Sequence, residues 1–118
     1  MSAIRTFNVE VGLPTLDEAR RLVIDEIKRA KREGAKVLKV IHGYGSSGTG
    51  GKLCVGLRKS FGLRMKEGVI KDFIAGEDFS IFNEPTLALL EAVPELRGEP
   101  DLGATNEGVT IVWLKSIE

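Results

Sequence analysis

This 118-residue chain has one cysteine, one histidine, no net charge and no long apolar run, and each scarcity closes a class of function. The single thiol, Cys54, can form no internal disulfide and can build no cysteine-based zinc site, which suits a reducing compartment. With His42 as the one histidine, no His/Cys cluster exists for a metal, and none is expected. The longest uninterrupted apolar runs are about four residues, as in Leu87-Ala88-Leu89-Leu90. A membrane helix needs roughly 20, so no membrane partner is expected. No apolar stretch follows Met1-Ser2-Ala3-Ile4-Arg5, which predicts no secretory signal and a cytoplasmic location. With 42% hydrophobic and 29% charged residues, the chain reads as one soluble globular domain and not as a disordered or fibrous one.

The zero net charge hides an uneven distribution. Residues 1–71 hold 15 Lys/Arg and 7 Asp/Glu, whereas residues 72–118 hold 2 and 10. Such asymmetry hints at a polyanion partner, although basic and acidic surfaces also serve simply to solvate a fold.

Phe7, Val9 and Val11 alternate with polar residues, which predicts a strand with one buried face. Thr15-Leu16-Asp17-Glu18 fits a capping box. Ala19, Leu22, Val23, Ile27 and Ala30 continue at helical spacing to about Glu33, where Gly34 supplies the stop. Lys36–Ile41 predicts a second strand, and a second helix starts near Lys52 with Leu53, Leu57 and Phe61 on one face. Residues 69–75 suggest a third strand. Phe79, Ile81 and Phe82 are expected to anchor the next segment to the core, Pro85 to open a short helix through about Val93, and Pro94 to Gly108 to form a long acidic loop. Val109–Leu114 is the last strand, with Trp113 assigned to the core. The order β-α-β-α-β-(α)-β predicts an α/β layer fold on a mixed sheet.

Five of the 14 glycines fall between positions 43 and 51, in His42-Gly43-Tyr44-Gly45-Ser46-Ser47-Gly48-Thr49-Gly50-Gly51. This loop lies between a strand and a helix, where backbone N–H groups and a helix N-terminus favour phosphate. Gly43-x-Gly45-x-x-Gly48 meets the dinucleotide fingerprint literally, but the chain is too short for two mononucleotide halves. A Walker loop fails: Ser46 stands where its first glycine belongs, and Leu53 follows Lys52. His42, at a strand end facing the loop, has the chemistry of a general acid or base, yet a lone histidine also serves as a hydrogen-bonded structural residue. Tyr44 could stack on a base. Cys54 reads as a small core residue.

His42-Gly43-Tyr44-Gly45, after Val37-Leu38-Lys39-Val40-Ile41 and before a basic helix, resembles the small MutS-related (Smr) domain family. That family has a His-Gly-x-Gly motif between its second strand and second helix, and an upstream Leu-Asp-x-His-Gly motif that ends the first strand. Thr15-Leu16-Asp17-Glu18-Ala19 is similar to the family's helix start, which places Val9-Glu10-Val11-Gly12-Leu13 on the upstream motif. The resemblance covers about Phe7–Ile74 and Val109–Leu114, leaving 77–108 as an acidic insertion or elaboration within a single domain spanning 1–118. It implies a two-layer α+β fold: a mixed four-stranded sheet with two main helices on one side. It also implies nucleic-acid binding, with endonuclease activity in some members. Glu10 stands in place of the upstream Asp and Gly12 in place of the upstream His, so the pattern departs where cleavage chemistry is expected.

The expectation is therefore a DNA- or RNA-binding domain with weak or no cleavage. Phosphate contacts are expected from loop residues Gly43, Tyr44, Gly45, Ser46, Ser47, Gly48, Thr49, Gly50 and Gly51, and from Lys52, Arg58 and Lys59. The alternative is an active endonuclease using His42 and Glu10. No cofactor is expected otherwise; a divalent metal such as magnesium enters only if the site cleaves. A further alternative is a protein-interaction module, with a protein partner on the acidic 72–108 segment.

Overall fold

The computed structural model describes residues 2–44 and 49–116, and of Thr49 the backbone alone. Four strands, β1 (Ile4–Asn8), β2 (Val37–Ile41), β3 (Ile70–Ala75) and β4 (Val109–Leu114), form one mixed sheet in the order β1-β2-β4-β3. β1 runs parallel to β2, and β4 lies antiparallel between β2 and β3. Helices α1 (Leu16–Arg32) and α2 (Thr49–Lys66) are the crossovers between successive parallel strands. Crossovers of one hand that step the same way across a sheet put both helices on the same face.

Local chemistry sets the helix boundaries. Thr15 and Glu18 close a reciprocal capping box at the start of α1, and Gly34, at φ +81°, follows its end. The inner stripe Ala19, Val23, Ile27 and Ala30 packs with Leu53, Leu57 and Phe61 of α2 on Leu38, Val40, Val112 and Leu114 of the sheet. Where the two helices meet, Gly56 admits the Leu16 side chain: a Cβ at Gly56 would lie 2.4 Å from Leu16 Cδ1.

The alternate residues Val37, Ile74 and Ile111 face the other way, and a second core covers them. It is built by the β3–β4 connection: Phe79, Leu89 and Leu90 on or near helix α3 (Glu84–Ala92), then Val93 and Leu96. Residues 77–108 are thus a cover over the second face, in addition to the two main helices on the first. Lys39, on that second face, holds Glu99 and Asp101 of the cover, each at 2.5 Å.

Several sequence expectations shift. The first strand is Ile4–Asn8, and the chain turns after it, leaving Val11 76% exposed and Gly12 at φ +86°. Only Phe79 of the three expected anchors is buried; Ile81 and Phe82 are exposed, because the chain turns outward to enter α3. The acidic loop after Pro94 begins with a 3-10 turn, Pro94–Gly98, whose Leu96 joins the core. α2 starts at Thr49, three residues ahead of Lys52. Trp113 is half-buried, with the Lys71 ammonium 4.4 Å from its ring centre.

Candidate functional site

The carboxyl ends of β1 and β2 and the start of β4 converge, as the strand directions require, and an open α/β sheet offers ligands a place at such an edge. Beyond β1 stands Glu10, and beyond β2 come His42, Gly43 and Tyr44. Gly108, just ahead of β4, accepts hydrogen bonds from the backbone N–H groups of His42 and Gly43, both at 3.0 Å. Gly43 is left-handed at φ +79°, and the Glu10 carboxylate lies over its Cα, where a Cβ would fall 2.1 Å from Oε2. Glu10 thus stands against Gly43, the residue after His42, while both ring nitrogens of His42 have other partners.

His42 is wholly buried, at 0% exposure. Its Nδ1 lies 2.8 Å from the Gly43 carbonyl oxygen and its Nε2 lies 2.9 Å from Thr110 Oγ1. A carbonyl only accepts, so Nδ1 carries the proton and donates, and Nε2 accepts from the Thr110 hydroxyl. Burial holds the His42 pKa below its ordinary 6.5; the nearby Arg58 charge acts the same way, and the Gly43 hydrogen bond partly opposes it.

Thr110 Oγ1 in turn accepts from Arg58 Nε at 3.1 Å. The same guanidinium forms a bidentate pair with Glu77 at 2.8 and 2.9 Å, and donates to the carbonyls of Glu107 and Val109. Arg58 was expected to contact phosphate. Its Nε, Nη1 and Nη2 instead bond inside the protein, tying α2 to Glu77 after β3 and to the start of β4. Partners 19 to 52 residues away leave no mark in a local reading of the sequence. Arg58, Thr110 and His42 form one directed hydrogen-bond chain ending at the Gly43 carbonyl.

Among the other expected residues, Tyr44 is exposed, and the nearby Glu107 carboxylate pushes its phenol above the ordinary range. Gly51 returns beside Tyr44, so the described ends of the loop adjoin. Gly45, Ser46, Ser47 and Gly48 lie outside the described residues, as does the side chain of Thr49; Gly50 is described only by its place in α2. Lys52 and Lys59, seven residues apart on α2, are both exposed. Beside Lys52 an open depression is lined by Leu16, Gly51, Val55 and Gly56. Cys54 is buried as expected, and burial pushes its thiol up. Among the described residues no group of three or more His, Cys, Asp or Glu side chains is placed to hold a metal ion.

No protein-family model and no curated protein sequence matches the chain. A solved structure does: the Smr domain of Thermus thermophilus MutS2, at 20% identity and a TM-score of 0.58, over 94% of this chain and 98% of that one. The fold is that of the Smr domain.

Proposed function

We propose that this domain binds nucleic acid through the outer face of α1 and α2 and the glycine loop that leads into α2, and that it cleaves weakly or not at all. The observation that carries this reading is the way the sheet sorts charge. α1 and α2, on one face, hold eleven Lys/Arg and four Asp/Glu; the cover 76–108, on the other, holds one arginine and eight acids. Arg21, Lys28, Arg32, Lys52, Lys59 and Lys66 are exposed on the helical face and enter no ion pair among the described residues. A face of unpaired cations attracts phosphates and gains from counterion release. Lys52 and Lys59 remain in the phosphate-contacting set, and Arg58 leaves it. The exposed Tyr44 ring adds a surface on which a base can stack. Likeness to the Smr fold supports the same reading.

The chemistry near Gly43 favours binding over cleavage. Strand scission needs a proton taken from one oxygen and given to another. His42 offers no free nitrogen to a substrate, Gly12 offers no titratable group, and Glu10 is left to act alone.

The test is an electrophoretic binding assay with single-stranded, duplex and branched DNA and RNA, with and without magnesium. Affinity should fall with salt, with a log–log slope of about −0.7 to −0.9 per phosphate contact, and Lys52→Ala with Lys59→Ala should reduce that slope by about two contacts. Binding indifferent to salt would overturn the phosphate reading. Robust cleavage by the wild type, lost in a folded His42→Ala variant, would overturn the assignment of weak or absent cleavage.

A further inference from the structure

The cover carries a second unpartnered surface whose chemistry complements the helical face. Just ahead of α3, Ile81 is exposed and Phe82 is 93% exposed, and Leu87 is exposed on the helix itself. The same segment carries Asp78, Glu84, Glu91 and Glu95, all exposed and in no ion pair among the described residues. Asn83 caps α3, so Phe82 and Leu87 hold the two positions that pack together as a hydrophobic staple at many helix starts. Here the Phe82 ring stands in water instead. On the far side of the sheet, Leu22, Val55 and Leu63 are exposed among the unpaired cations of α1 and α2. One surface is apolar within an acidic surround, and the opposite surface is apolar within a basic one.

We propose that the outer face of α3 docks onto the α1–α2 face of a second copy of this chain, head to tail, with Phe82 as its apolar anchor. Each face finds its complement on the same molecule. The chain's zero net charge removes the overall repulsion that keeps copies apart. The molecule measures 35 × 31 × 26 Å, so either face has room for the roughly 800 Å² per partner of a standard interface. Because the two faces differ, the contact is heterologous, and each added copy leaves one face open, so assemblies grow instead of closing as a dimer. Exposed ion pairs are individually weak and screened by salt, which makes this association concentration-dependent and reversible in salt. On the nucleic-acid reading above, the acidic cover of one copy also competes with phosphate for the helical face of the next. That consequence rests on the binding proposal; the association does not.

Sedimentation equilibrium of the whole chain from micromolar to submillimolar concentration tests it. In low salt the mass should rise beyond 12.8 kDa with concentration, and in high salt it should return to 12.8 kDa. A cover variant, Phe82→Ser with Glu84→Gln and Glu91→Gln, should stay monomeric, as should a helical-face variant, Lys52→Gln with Lys59→Gln and Lys66→Gln. Mixed, the two should form a 1:1 complex and stop there, since one intact cover then meets one intact helical face. All these side chains are exposed, and circular dichroism checks that each variant folds. A wild type that stays at 12.8 kDa throughout in low salt overturns the proposal. So does a mixture that remains monomeric, or an assembly that the cover variant leaves intact. The cover variant should still bind nucleic acid, so loss of self-association and failure of the nucleic-acid reading give separable results.

Discussion

His42 shows how a side chain's setting decides its role. A histidine at a strand end beside a glycine loop has the position of a catalyst, and that much was legible from residues 36–51. That both ring nitrogens are spent inside the protein depends on Thr110, 68 residues away, and on Arg58 behind it. His42→Ala leaves the Thr110 hydroxyl and the Gly43 carbonyl without their partner and opens a cavity, so it should cost roughly 2–4 kcal/mol in urea unfolding. The pH dependence has a definite sign. The folded-state pKa lies below 6.5, so the unfolded chain takes up the proton first. Stability held by neutral His42 is full above pH 6.5 and is lost as pH falls from there toward the folded-state value. Wild type should therefore lose more stability between pH 7.5 and 5 than His42→Gln; equal slopes would show that this ring does not govern the pH response.

The elements were legible where their signals are local. The Thr15–Glu18 capping box, the apolar stripe of α1, the Gly34 stop and the proline near the start of α3 each act within one helical turn of the backbone they govern. The end of β1 was not, because the Phe7-Val9-Val11 alternation continues past Asn8, whose partner Ile41 is the last in the ladder. A strand ends where its neighbour ends, and the neighbour is tertiary. Glycines divide in the same way. Gly62, within α2, has nothing within 4 Å of a would-be Cβ, so Gly62→Ala should stabilise the fold by about 0.5–1 kcal/mol through helix propensity. At Gly76 a Cβ would meet the Asn106 carbonyl oxygen at 1.9 Å and the Val109 carbonyl oxygen at 2.7 Å. Backbone there cannot yield without disturbing the start of β4, so Gly76→Ala should destabilise strongly. Thermal melts of the two variants should move in opposite directions.

At the scale of the molecule, the same-sided crossovers make the cover necessary. With α1 and α2 on one face, Val37, Ile74 and Ile111 would meet water unless another segment hid them. Phe79, fully buried between cover and sheet, should accordingly cost about 3–5 kcal/mol when replaced by alanine, as much as a residue of the main core such as Phe61. If urea unfolding shows Phe79→Ala to be nearly neutral, the cover is an appendage and not part of the core.

The sequence by itself determined the alternation of strands and helices, the caps, the glycine loop after β2 and the opposed charges of the two halves, since each is written in neighbouring residues. Only the tertiary structure decided which of those residues are spent inside and which are left for a partner. Arg58 and Lys59 are adjacent cations in the sequence. The 100° between successive helix positions turns Arg58 toward Glu77 and Thr110 and Lys59 toward solvent. The sheet likewise turned a charge gradient along the chain into two opposed faces, because both crossovers carry the basic helices to one side and leave the acidic connection to cover the other.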